Sequence, residues 1–303
     1  MHRTEIAAFL NQKGGVGKTT SVVNIGSGLT ILAKKVLIVD LDPQGHLTRS
    51  LGIESNGFNK TVYDVLKGEI SPRESMVSKK LGARLSVNGR DSNLSLTVIP
   101  SRLDLADSAV GLSRLPGAEY LLKKALDEVK HDYDYVLIDC PPSLGLLTTN
   151  ALTAASKVFI PVQTEYLALE SLDDLKRKIE WVIARFNPDL EIGGLIATRF
   201  DGRKVLNRTV VERLKERFGS LFLATMIREN IVLAEAPSFG KDIFTYRPRS
   251  YGAKDYLDLC IEILDGHNTS QASLTVERSG VPAVQQSEEG SVWREIAQGE
   301  PVD

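Results

Sequence analysis

The sequence predicts an α/β fold: a doubly wound, mostly parallel sheet with helices on both faces, opening with a phosphate-binding loop. Three observations carry that expectation. Apolar strand-like runs alternate with helical-period segments along most of the 303 residues. The strand runs are nearly continuous in apolar residues, as strands buried on both faces are. The glycines, lysines and aspartates capable of chemistry fall where these runs end, which in a parallel sheet is the edge where ligands bind.

Taken in order, the first strand is expected at 5–11, around Ile6-Ala7-Ala8-Phe9-Leu10, and an amphipathic helix follows at 18–33. Val-Leu-Ile-Val-Asp predicts a strand at 36–40, and a helix is expected at 61–67. Residues 79–93 are polar and glycine-containing, a surface loop or short hairpin before the apolar run at 96–100. A helix at 118–129 leads to the Tyr-Val-Leu-Ile-Asp strand at 135–139. Helices at 143–154, 171–185, 207–218 and 251–264 then alternate with strands at 158–162, 192–197 and 222–227. Beyond Gly266 the chain turns to Ser, Gln, Glu and Gly, a composition expected to be disordered, with one short helix at 291–297.

Bulk composition narrows the class. The chain is 42% hydrophobic and 25% charged, as a soluble protein with a real core is. Its only cysteines, Cys140 and Cys260, lie far apart with no metal-type spacing, which fits a reducing cytoplasm and excludes a disulfide framework. The first strand begins so early that no signal peptide is expected. No run approaches the roughly 20 apolar residues needed to cross a bilayer. The net charge of −2 is unevenly placed: residues 265–303 hold seven acidic and two basic residues, a net of −5. Of the chain's 37 basic and 39 acidic residues this leaves 35 and 32 in residues 1–264, a net of +3. Residues 199–254 alone hold twelve basic and six acidic residues, a local patch.

The stretch Lys13-Gly14-Gly15-Val16-Gly17-Lys18-Thr19-Thr20 between strand and helix is the most informative. Glycines let the backbone take positive φ and wrap an anion, and the helix N-terminus adds its positive end. Lys18 would neutralise phosphate oxygens and the Thr19 hydroxyl would ligate Mg²⁺. Gln12 replaces the first glycine of the general pattern, with Gly14 and Gly15 supplying the permissive positions. Two lysines so near a helix N-terminus oppose the dipole unless a polyanion lies between them.

Two strand ends add carboxylates. Asp40 and Asp42 flank Leu41 before Pro43, where Asp40 could hold a Mg²⁺-bound water and Asp42 could orient or deprotonate the attacking water. Alone, the pair reads equally as an Asp-Pro turn. Asp139 ends an apolar run in the Walker-B manner and would reach Mg²⁺ directly or through water; in isolation it reads also as an N-cap for the helix at 143–154. Pro141-Pro142 fixes an extended path beyond it. Cys140 reads as a small buried hydrophobe.

Residues 13–20 as K-G-G-V-G-K-T-T, 40–45 as D-L-D-P-Q-G and 139–145 as D-C-P-P-S-L-G resemble the ParA/Soj family of deviant-Walker-A ATPases. The likeness continues through Asn150-Ala151-Leu152, the stretch from Ile160 to Tyr166, and Ala234-Glu235-Ala236-Pro237-Ser238, covering residues 4–264. The resemblance implies an ATPase domain over 1–264 with an added acidic tail at 265–303. It implies ATP and Mg²⁺ as cofactors and an ATP-dependent homodimer in which Lys13 reaches the nucleotide of the other subunit, as an arginine finger acts in trans. Gly14, Gly15, Val16, Gly17, Lys18, Thr19, Thr20 and Pro237 would contact nucleotide, Thr19, Asp40 and Asp139 the metal, and Lys13, Lys18 and Asp42 would serve hydrolysis. His46 stands where members commonly have Asn.

Members also bind double-stranded DNA non-specifically through basic residues. Arg203, Arg228 and Arg247 are the candidates here, while the far end of the helix at 207–218, where Glu212 and Glu216 interleave with Arg213, Lys215 and Arg217, reads as a solvated face. No helix-turn-helix segment precedes the phosphate loop. MinD-type relatives hold membranes through a basic amphipathic C-terminal helix, and the acidic tail here argues against that. The expectation is a cytoplasmic, nucleoid-associated ATPase that drives chromosome or plasmid segregation with a ParB-type partner. Alternatives are a ParA-like ATPase positioning a protein cargo, and an amide-forming enzyme on the same scaffold. An iron–sulfur carrier ranks last, for want of paired cysteine ligands.

Overall fold

The computed structural model describes residues 4–53, 60–87, 90–102, 111–165 and 168–276. Its strands are β1 (Glu5–Phe9), β2 (Val36–Asp40), β3 (Val77–Val87), β4 (Arg90–Ile99), β5 (Tyr135–Asp139), β6 (Lys157–Gln163) and β7 (Glu191–Thr198). They form one seven-stranded sheet in the order β3-β4-β2-β5-β1-β6-β7. Neighbouring strands are parallel except β3 and β4. The continuous apolar runs have a direct cause: Ile6, Ala8 and Leu10 face one buried layer, and Ala7 and Phe9 the other. Because β1 lies between β5 and β6, the loops that follow β1, β2 and β5 meet at one point of the sheet edge.

The sheet has seven strands, as many as the sequence suggests, but not the same seven: β3 joins its edge and residues 222–227 do not form a strand. Residues 222–228 make only isolated parallel bridges, Leu195 with Phe222 and Phe200 with Arg228. The N–H groups of Leu223 and Ile227 donate to the Leu195 and Ala197 carbonyls of β7, but those of Ala224 and Thr225 donate to the Glu262 carboxylate of the final helix. A ladder cannot form where its middle donors are diverted. Residues 79–93 lie in a hairpin longer than a surface insertion, built from all of β3 and β4.

Helix boundaries shift for local reasons. The helix expected at 143–154 starts only at Leu146, since the Pro141-Pro142 path holds Gly145 extended at φ −83° and ψ −159°. The one expected at 118–129 opens as a 3₁₀ turn, Ala118–Tyr120, before Leu121–Asp127. The final helix runs past Leu264 to Val276, while the expected short helix at 291–297 lies outside the described residues.

Candidate functional site

The phosphate loop joins β1 to α1 (Lys18–Ile31). Gly15 and Gly17 have φ of +74° and +88°, the left-handed conformation that glycine adopts without penalty. Gly17 caps α1 without any side-chain hydrogen bond, so the first-turn N–H groups stay directed at the loop. A Cβ added at Gly14 or Gly15 would meet no atom within 4 Å, so the space beside this part of the loop is open. The loop is braced from neighbouring strand ends: Thr198 donates its hydroxyl to the Val16 carbonyl at 2.8 Å. Asn11 donates to the Pro161 carbonyl at 2.7 Å and accepts from the Lys13 N–H at 3.0 Å.

Into this cradle comes Lys18, buried, its ammonium 3.4 Å from the Lys13 carbonyl. Burial pushes its pKa down, opposed by the nearby Asp139 and Asp42 carboxyls. Beside it the Thr19 hydroxyl donates to Asp139 Oδ2 at 2.7 Å. Asp139 Oδ1 is buried with no hydrogen-bond partner. Asp139 is the register partner of Asp40 across β2 and β5, so two fully buried carboxyls lie side by side. Burial raises both, Asp40 to about 7 and Asp139 well above the usual carboxylate range, where the Asp40 charge adds to the burial. Such a pair calls for a cation.

That donor set, one threonine hydroxyl and carboxylate oxygens, suits a hard oxygen-seeking ion such as Mg²⁺, which keeps waters and shares phosphates rather than needing a protein cage. Among the described residues no group of three or more His, Cys, Asp or Glu forms such a cage. Asp40 differs from Asp139 in being fully engaged: its Oδ2 accepts from the Thr48 N–H (2.9 Å) and hydroxyl (2.6 Å), and its Oδ1 from the Asp42 N–H at 3.3 Å. Asp42, also buried, accepts from the Gln44 N–H at 2.9 Å and shapes the turn that follows.

Lys18, Thr19, Asp40, Asp42 and Asp139 thus converge, with Gly14, Gly15, Val16 and Gly17 as backbone lining and Thr20 on the first turn of α1. Lys13 stands apart: it is exposed and paired with Glu165 at 2.6 Å. Pro237 lies half-buried in the 3₁₀ turn Ala236–Phe239, which packs on the short helix His46–Ser50. There Gly52 and Gly240, at φ of +64° and +63°, approach so closely that a Cβ on Gly240 would come within 2.7 Å of the Gly52 Cα. Thr48, Ser101, Thr198 and Glu165 escaped the sequence reading, because nothing local marks a threonine whose partner lies 182 residues away.

The arginines considered for DNA already hold partners. Arg203 is 91% exposed yet grips Asp201 through its Nε and guanidinium. Arg228 is bound to the buried Asp255 and lies 4.2 Å from the centre of the Tyr251 ring. Arg247 is exposed over the Tyr246 ring at 5.5 Å.

A parallel sheet carrying a glycine cradle, a buried loop lysine and a threonine hydroxyl on a strand-end aspartate defines a P-loop nucleotide-binding protein. Residues 4–192 match the family described as AAA domain. The chain is 44% identical over 259 residues to the sporulation initiation inhibitor protein Soj of Bacillus subtilis, covering 86% of this chain and 98% of that one. It is 39% identical over 269 residues to the chromosome partitioning protein ParA of Caulobacter vibrioides, covering 88% and 96%. Among solved structures, cobyrinic acid a,c-diamide synthase from Mycobacterium smegmatis, with bound ATP analog and magnesium, has a TM-score of 0.74 at 36% identity, covering 88% and 97%. The chain belongs to the ParA/Soj family. Among the described residues no helix is long and apolar enough to cross a membrane.

Proposed function

We propose that this chain is a Mg²⁺-dependent partitioning ATPase that dimerises on ATP, binds double-stranded DNA non-specifically, and moves a chromosome or plasmid with a ParB-type partner. The observation that supports it most is the Asp139 carboxyl, with the Thr19 hydroxyl on one oxygen and none on the other, beside Lys18. Thr19 and Asp139 would hold Mg²⁺, with Asp40 behind them; when bound, the ion supplies charge neutralisation for the phosphates. Lys18 neutralises phosphate oxygens, the loop N–H groups of residues 14–20 orient them, and Asp42 orients the attacking water. Pro237 is a further proposed nucleotide contact.

Lys13, paired with Glu165 in the single chain, serves the cradle of a second copy in this reading. Arg203, Arg228 and Arg247 are the proposed DNA contacts, and the domain spans 1–264 with the tail at 265–303. In this reading the protein works in the cytoplasm on the nucleoid. The test is ATP turnover measured alone, with DNA, and with the product of the neighbouring gene, alongside sizing with and without ATP. Turnover indifferent to both additions refutes the partitioning role.

The likeness to a cobyrinic acid a,c-diamide synthase supports a second reading, an amide-forming enzyme. In that case ATP turnover depends on a small carboxylate substrate and an amine donor, and DNA leaves it unchanged.

A further inference from the structure

Asp40 spends all three of its hydrogen bonds on the segment that follows it: the Asp42 N–H, the Thr48 N–H and the Thr48 hydroxyl. The hydroxyl is oriented, because the Ser101 N–H donates to the same Thr48 oxygen at 3.0 Å and commits the Thr48 proton to Asp40. Thr48 and Ser101 are each 1% exposed and Asp40 is 0% exposed, so no water competes for these bonds. The loop Asp42-Pro43-Gln44-Gly45 therefore runs between two points fixed on one carboxyl and is tightened by its own turn, in which the Gln44 and Gly45 N–H groups donate to Asp42. Beyond the helix His46–Ser50 the chain is stopped again where Gly52 meets Gly240.

We infer that Thr48 is a positioning residue for hydrolysis: by clamping the Asp40 carboxyl to the end of β4, it fixes the loop that aims Asp42. This rests on the ATPase reading for its consequence, though not for its geometry. Valine at position 48 keeps the shape and the backbone N–H but removes the hydroxyl, which leaves Asp40 Oδ2 with the backbone N–H of residue 48 alone and takes from the Ser101 N–H its acceptor. Serine restores the hydroxyl.

The experiment uses the full chain with Thr48→Val and Thr48→Ser. It reads kcat, KM for ATP, the Mg²⁺ concentration for half-maximal turnover, and amide exchange of residues 42–52 without nucleotide. Thr48→Val is expected to lower kcat roughly ten- to a hundredfold with KM and the Mg²⁺ midpoint unchanged, a size consistent with a misaimed catalytic group. Its amides from 42 to 52 exchange faster while the rest of the sheet does not, and Thr48→Ser returns both readouts to wild type. Unchanged turnover in Thr48→Val, equal losses in both variants, or faster exchange throughout the protein overturns the inference. A raised Mg²⁺ midpoint with turnover recovered at high Mg²⁺ also overturns it, reassigning the clamp to metal affinity. A wild-type chain without ATP turnover, whose 42–52 amides still loosen in Thr48→Val, refutes the ATPase reading and supports the clamp.

Discussion

The carboxyls at the ends of β2 and β5 are buried beside each other, whereas Arg203 and Arg228 beyond β7 reach solvent and already hold carboxylates. Asp139 and Asp40 sit side by side at 0% exposure, and one Asp139 oxygen has no hydrogen-bond partner. Arg203, by contrast, is 91% exposed and paired with Asp201, and Lys204 with Glu229 at 2.6 Å. Burial disfavours the ionised form of these carboxyls, and a bound cation would favour it again, which suits tight binding at the sheet edge. An exposed pair is worth little and exchanges partners readily, which suits weak, salt-sensitive contact with a polyanion.

The largest expected effect tests the buried side. Lys18→Ala is expected to lower nucleotide affinity at least a hundredfold, about 2.7 kcal/mol or more, and a filter-binding assay showing ordinary ATP affinity would break the contrast. Asp42→Ala comes next: turnover falls on the order of a hundredfold while ATP binding persists, so sizing with ATP should show an accumulated dimer. A protein that stays monomeric with ATP contradicts this.

The pH dependence is a subtler probe of the same pair. Burial raises Asp40 from 3.8 to about 7, so between those values the folded chain holds a proton that the unfolded chain has released. Stability of the nucleotide-free protein is then full below the lower value and declines as pH rises through about 7. Thermal melts from pH 5 to 8 should show that decline, and Asp40→Asn should make it shallower, leaving the part that Asp139 contributes. A flat wild-type profile would show that the carboxyls are already compensated.

The smallest effect belongs to the exposed side. Arg203→Glu is expected to weaken DNA binding several-fold and to reduce the slope of log affinity against log salt by about one, with dimerisation intact. An unchanged gel shift at moderate salt removes Arg203 from the interface. Arg228 is a poorer probe, since changing it strands the buried Asp255 and lowers stability as well.

Much of the site was legible because it is local. The phosphate loop is eight consecutive residues, and Asp40 and Asp139 each close an apolar run, so strand ends could be recognised without knowing which strands pair. What brings those aspartates together is register across β2 and β5, and a single sequence does not carry it. The same limit hid Thr48, whose hydroxyl connects Asp40 to Ser101. It also hid Glu262, whose carboxylate takes the N–H groups that a strand at 222–227 would have needed. In sequence Lys13 is a charge without a local counterion, and Glu165 supplies one from 152 residues away.

Where Gly52 and Gly240 touch, two backbones pass with no room for even a methyl group, and each holds a conformation that other residues resist. Neither site can drift alone, because alanine at one collides with the main chain of the other. Heredity must therefore treat the loop behind Asp42 and the turn bearing Pro237 as one inherited piece, and a chimera that joins them from two divergent relatives should keep both glycines or fail to close.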